Sequence, residues 1–249
     1  MTGFSTFAPT LVGVAALVAL TIAVLWGTRT PHPFAPSLAI LRGAVQLMLI
    51  SVILSGVITS PLWVAGALLV MFSVAAVTAA RRLGGPRKHI VLVASAMGAG
   101  ILTTLLIVFV SGAIEFSPRY ALAIGGIVIG NAMSIATLAG RRLTESVNDH
   151  WDEVEGWMAL GATPRQSTLD LARSAVYSAL IPSTDQTKTT GLVTLPGAFV
   201  GAIFGGVSPL EAGRFQLVVL ASIMAAGSIT AVVVVRMLAP LRMRPAALR

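Results

Sequence analysis

Seven stretches of this 249-residue chain are each long enough and apolar enough to cross a bilayer. They lie near 8–27, 37–58, 61–80, 89–112, 119–140, 186–206 and 211–236, and each has few or no charges over roughly 18 residues or more. In hydrocarbon a backbone must satisfy its own hydrogen bonds, so such stretches are expected as helices. They occupy most of the chain and leave no room for a sizeable soluble domain. The fold expected is all-α, a single polytopic membrane domain over 1–249 with about seven spans. Composition agrees: 56% of residues are hydrophobic and 10% charged, against about a quarter charged in ordinary soluble domains. The first basic residue is Arg29, so the first span lacks the charged leader of a cleaved signal peptide. With no cysteine, disulfides and thiolate sites are excluded.

The formal net charge of +8 would suit nucleic acid, but its distribution argues against that partner. Arg29 lies in the first loop; Arg81, Arg82, Arg87 and Lys88 sit between spans three and four; Arg141 and Arg142 close span five; Arg236, Arg242, Arg244 and Arg249 follow span seven. The opposite loops hold only Arg119 and Arg214, each near an acid, Glu115 and Glu211. This alternation is the positive-inside pattern of a protein in the plasma (cytoplasmic) membrane. It places the N-terminus outside and the C-terminus in the cytoplasm, with the basic clusters beside anionic lipid.

Each outer connection carries a Ser-Pro pair: Ser60-Pro61, Ser117-Pro118 and Ser208-Pro209. Serine caps a helix and proline is tolerated in its first turn, so each pair marks a helix start. Gly126 and Gly130, and Gly197, Gly201 and Gly205, recur at the four-residue spacing that lets membrane helices approach closely. Pro196 falls inside span six and is expected to loosen or kink it.

Residues 144–182 form the one long cytoplasmic segment, and Glu145, Asp149, Asp152, Glu153 and Glu155 are five of the chain's nine acids. Val147, Trp151, Val154 and Met158 make one apolar helical stripe. Gly161 supplies a helix stop; Thr163, Pro164 and Gln166 then give a cap, a first-turn proline and a capping-box partner. A second helix is expected with Leu169, Ala172, Val176 and Leu180 on one face, ending at Pro182. Ser183 to Gln186 repeats the capping spacing and starts span six. Two helices joined by a sharp turn fit either an interfacial hairpin, with Trp151 and Trp157 in the headgroup layer, or a dock for a soluble protein.

The run "EVEGWMALGATPRQ…ALIP" is similar to the coupling loop of ABC transporter permeases, which fits a cleft on a cytoplasmic ATPase. Over about residues 37–239 the chain also resembles the FetB family, permeases of a proposed ABC iron exporter. The matching stretches are "SGAIEFSP" (111–118), "GNAM" (130–133), "LGATPRQ" (160–166) and "ALIPSTDQTKTTGLVTLPG" (179–197). It departs at Tyr177, Ser183 and Gln186, which leaves the substrate open. The resemblance implies a homodimeric permease on two copies of a separate ATPase, exporting iron or a related cation. It also implies ATPase coupling through Glu155, Leu160, Gly161, Ala162, Thr163 and Pro164.

Lys88 and Lys188 are the only lysines, and neither stands in a phosphate-binding G-x-x-x-x-G-K-[ST] loop. No cofactor is expected on this chain, and ATP would act through the partner. With no H-E-x-x-H or G-x-S-x-G motif, an enzyme is disfavoured. The candidate transport or gating residues are Glu115 at the outer mouth, Asn131 in mid-span, Asp185 and Lys188 three apart where span six begins, and Pro196. Glu115 is the one suggested metal contact, against a solvated loop acid paired with Arg119. Asn131 fits an interhelical hydrogen bond as well as a pathway. The alternatives are a permease for another small solute and a non-transporting scaffold that recruits a cytoplasmic partner.

Overall fold

The computed structural model describes residues 3–57, 60–84 and 87–245. Among them the regular structure is helical, apart from one isolated bridge between Thr190 and Thr194. The helices are α1 (Gly3–Gly27), α2 (Ala35–Val57), α3 (Pro61–Arg82), α4 (Arg87–Val110), α5 (Pro118–Asp149), α6 (Trp151–Ala159), α7 (Pro164–Ser167), α8 (Leu169–Thr189), α9 (Gly197–Phe204) and α10 (Pro209–Leu238). By length and composition, five carry stretches able to cross a membrane: Ala8–Gly27, Pro61–Arg82, His89–Val110, Pro118–Asp149 and Pro209–Leu238. Within α2, Ala35–Ser51 is a further apolar stretch. Ile58, Gly85 and Arg249 lie outside the described residues.

The chain divides into two compact units. In the first, α1 and α2 form a hairpin whose turn places Arg29 and His32 at positive φ. The second unit, from residue 58 onward, is built on α3, α4, α5 and α10. Its core is lined with small side chains: Ala75, Ala76, Ala79 and Ala80 of α3 and Ala132 and Ala136 of α5 are all buried. Small residues allow close helix contact where lipid supplies no hydrophobic drive. At Gly100 of α4 a Cβ would fall 2.5 Å from the carbonyl oxygen of Ala226 in α10, so only glycine fits that crossing. The expected glycine notches lie elsewhere. Gly126 meets Met71, Gly130 and the α9 pair Gly197 and Gly201 meet nothing within 4 Å, and Gly125 and Gly140 instead receive Leu68 and Leu83.

Two boundaries differ from expectation. Span five does not stop near 140: α5 runs 32 residues, about 48 Å, well beyond the roughly 30 Å of hydrocarbon. The expected span 186–206 is not one helix. The supposed second insert helix continues through Pro182 to Thr189 as α8, so Ser183 to Gln186 cap nothing. Its Ala172, Ala175 and Ala179 are buried against Ile135, Ala139 and Leu143 of α5 and Ala231 and Val235 of α10, which holds the helix straight past the proline. Pro182 faces outward, where slight curvature relieves its missing hydrogen bond. The chain breaks after Thr189 instead, at Gly191 with φ +90°, and Pro196 is the N-cap of α9 rather than a kink within a span.

Candidate functional site

Beyond the packed core, α5 ends at His150, whose Nδ1 lies 2.9 Å from the carbonyl of Ser146, and the chain turns into α6. Val154 of α6 is buried, Trp151 packs against the α5–α8–α10 core, and Trp157 is exposed. Helix α6 then stops in a Schellman turn. The N–H of Ala162 donates to the Trp157 carbonyl and that of Gly161 to the Met158 carbonyl, both at 3.0 Å, with Gly161 at φ +96°. Thr163 begins α7 with a complete capping box. Its Oγ1 accepts from the Gln166 N–H at 3.3 Å, and its own N–H donates to Gln166 Oε1 at 2.9 Å, with Pro164 at the first position. Every turn residue acts as the sequence spacing implied.

Besides the packing of Trp151, a buried hydrogen bond ties this elbow to the bundle. Thr168, fully buried between α7 and α8, places its hydroxyl 3.0 Å from the Pro164 carbonyl and 2.9 Å from that of Ala239 at the end of α10. Outside that anchor the elbow is open. Leu160 is 82% exposed, with Trp157 and Leu169 also on the surface, around a cleft of about 570 Å³. Glu153 and Asp170 line it with the apolar groups, and Glu155 is exposed nearby. Exposed leucine and tryptophan rimmed by acids make a patch suited to a protein partner.

The remaining candidates do not form one site. Glu115 is exposed in the α4–α5 connection and, among the described residues, makes no ion pair, with Arg119 or any other group. That connection is pinned by Arg214 Nη2, which donates to the Ala113 carbonyl at 3.3 Å. Asn131 spends its Nδ2 on the Ile127 carbonyl of its own helix at 2.9 Å, and makes no interhelical bond among the described residues. Asp185 and Lys188 pair at 3.3 Å on the exposed face of α8.

The structure adds a place that the sequence argument overlooked. Where α8 breaks, a cavity of about 360 Å³ is lined chiefly by apolar groups, Leu195, Pro196 and Phe199 with Leu217 and Leu220 of α10, and its polar residues are Thr187, Thr190 and Gln216. Gln216 is buried, and its Oε1 has no hydrogen-bond partner. Leaving such an oxygen unpaired costs about 1–3 kcal/mol, so a ligand, ion or water is expected against it. A glutamine within the most apolar span was the available signal.

Residues 9–241 match a family described as "Uncharacterised protein family (UPF0014)". "UPF0014 membrane protein STAR2" of Oryza sativa subsp. japonica is 36% identical over 225 residues, covering 89% of this chain and 78% of that protein. "UPF0014 membrane protein YjkA" of Bacillus subtilis (strain 168) is 33% identical over 198 residues, 79% of each. "Probable iron export permease protein FetB" of Escherichia coli (strain K12) is 37% identical over 141 residues, 57% of this chain and 54% of that protein. No solved structure matches.

Proposed function

Since the chain belongs to the UPF0014 family of membrane proteins, we propose that it is the membrane-spanning subunit of an ABC transporter driven by a separate cytoplasmic ATPase. The observation that carries this reading is the elbow at α6–α7. It is a rigidly capped turn with Leu160, Trp157 and Leu169 exposed around an acid-lined cleft, at the end of the bundle that holds Arg82, Arg141 and Arg244. Basic residues gather on the cytoplasmic side, so the elbow faces an ATPase and the N-terminus faces outside. Glu155, Leu160, Gly161, Ala162, Thr163 and Pro164 make the docking surface.

Helix α8 turns docking into movement. It leaves the elbow at Leu169 and runs unbroken for 21 residues, about 31 Å, to the break at 190–196. ATP-driven closure of two ATPases tilts the elbow, and α8 carries that tilt to the broken segment, where Pro196 starts α9. Asp185 and Lys188, paired on α8, stiffen that lever. A second copy of the chain completes the pathway and covers the open Gly197–Gly201 face of α9.

The cargo is iron or a related cation moving outward, by similarity to a protein named a probable iron export permease. Among the described residues no three His, Asp or Glu side chains cluster as metal ligands. A cargo held weakly in transit needs no such cluster. The same observation favours, as second reading, this machinery carrying another small solute. Co-purification with the ATPase encoded nearest its gene, followed by ATP-dependent loading of ferrous ion into inside-out vesicles, tests both. A pair that associates but moves another solute leaves the second reading. A permease that neither binds nor stimulates an ATPase is a scaffold.

A further inference from the structure

Where α3 ends, the protein holds more positive charge than its own groups balance. Helix α3 carries no charge before it closes on Arg81 and Arg82. Its 22 residues extend about 33 Å, close to the roughly 30 Å of hydrocarbon, so the pair stands at the edge of the apolar layer. Arg141 of α5 reaches the same level, because its Nε donates to the Arg82 carbonyl at 3.4 Å. A glycine permits that meeting. Gly140, next to Arg141 in the chain, leaves room for the Leu83 side chain, which would lie 2.6 Å from a Cβ placed there. Leu83 is buried in this crossing and draws the end of α3 onto α5.

Three arginines therefore gather at one crossing, and among the described residues none has a carboxylate partner. The nearest acid along α5, Glu145, is taken by Arg142 at 3.2 Å. The C-terminal dipole of α3 favours cations, but it is equivalent to only about half a negative charge. Most of the positive charge stays uncompensated, on side chains that are exposed or, for Arg141, half-buried.

The neighbouring surface selects the kind of anion. Val70 and Val74, 63% and 56% exposed, precede Arg81 by three and two helical turns and share its face of α3. The same spacing on α5 sets Gly130 and Ser134 in line with Arg141. Both are exposed, the Ser134 hydroxyl is spent on the Gly130 carbonyl at 3.2 Å, and a Cβ at Gly130 would meet nothing within 4 Å. Two tracks without free polar groups, one bulky and one shallow, thus run from the arginines along the open faces of two membrane-spanning helices.

We infer that Arg82 and Arg141, with Arg81 beside them, bind the phosphate of an anionic phospholipid whose acyl chains lie along Val70–Val74 and Gly130–Ser134. Guanidinium forks match phosphate oxygens, and basic clusters at the ends of spans hold anionic headgroups. A soluble phosphate would gain nothing from the two tracks. The site needs only the membrane-spanning fold, so it stands or falls apart from the transport reading.

The test titrates delipidated full-length protein in maltoside micelles with dioleoyl phosphatidylglycerol or dioleoyl phosphatidylcholine, counting bound lipid by native mass spectrometry. One phosphatidylglycerol is expected to bind about twenty-five-fold more tightly than phosphatidylcholine, about fivefold for each of the two principal arginines. Arg82→Gln and Arg141→Gln should each remove about fivefold of that preference. Arg142→Gln loses a cation already paired with Glu145 and should leave the preference unchanged. The Arg82 side chain makes no hydrogen bond among the described residues, so its variant should melt like wild type and report the site alone. Millimolar glycerophosphoglycerol, the headgroup without chains, and inorganic phosphate should not displace the lipid. Displacement by either would make this a free-anion site and overturn the lipid assignment. An equal drop in Arg142→Gln would reduce the effect to diffuse surface charge. No preference in wild type, or an undiminished one in both Arg82→Gln and Arg141→Gln, would also overturn the inference.

Discussion

Gly161 is where the docking hypothesis is most exposed to test, because the penalty for changing it can be assigned to the backbone alone. A Cβ placed there meets nothing within 4 Å, so neither bulk nor cavity effects enter. What does enter is φ +96°, which non-glycine residues occupy at a cost of about 1–3 kcal/mol, with β-branched residues worst. Gly161→Val therefore shifts the elbow away from the Schellman turn by about ten- to a hundredfold in population. Gly161→Asn, whose side chain tolerates left-handed geometry, should cost far less. The helical core does not depend on this turn, so both variants should insert and melt like wild type. If the capped turn is what the ATPase grips, Gly161→Val should weaken co-purification and ATPase stimulation by about that same factor, and Gly161→Asn should stay within a few-fold. Equal, undiminished ATPase binding by both would refute the reasoning, since the turn's conformation would then be irrelevant to docking.

Three further outcomes are expected. Thr168→Val removes the buried hydroxyl that joins the elbow to Ala239; leaving that carbonyl unpaired should cost about 1–3 kcal/mol, read as a lowered Tm with ATPase affinity nearly unchanged. Glu115→Gln should fold normally, because the carboxylate is exposed and unpaired among the described residues; a cation-dependent loss of export would show that it guides cargo, and unchanged export at every concentration would return it to a solvated loop acid. Cysteines at Ser208 and Asp149 should be labelled from opposite faces, with 149 from the cytoplasm; labelling of 149 from outside would place the elbow beyond reach of any ATPase.

Sequence served well wherever one local rule decided the geometry. Ser117 and Ser208 do cap α5 and α10, accepting from Tyr120 and Glu211, although Ser60 starts α3 without a side-chain bond. The elbow was legible because Gly161, Thr163, Pro164 and Gln166 each have one strong conformational preference and these agree. Span six was not legible, because two signals pointed the wrong way. Pro182 is the sharpest helix breaker in "ALIPSTDQTKTT", yet the alanine face of α8 packs firmly enough to carry the helix past it. "GLVTLPGAFVGAIFGG" is apolar throughout, and hydropathy cannot register that Gly191 and Pro196 turn the chain within it. Gln216 escaped notice for a related reason: its isolation matters only once α8 delivers two threonines to the same depth.

The continuity of α8 bears most on mechanism. Had it ended at Pro182, the elbow would hang from a flexible joint, and its movement would dissipate before reaching the break at 190–196. As built, one continuous helix has its lower end fixed by Thr168 against Ala239 and its upper end at the non-helical segment 190–196. Its packed face is alanine, which interlocks shallowly with α5 and α10 and permits sliding or rocking more readily than long side chains would. A small tilt at Leu169, carried over about 31 Å, displaces Thr187 and Thr190 relative to Gln216.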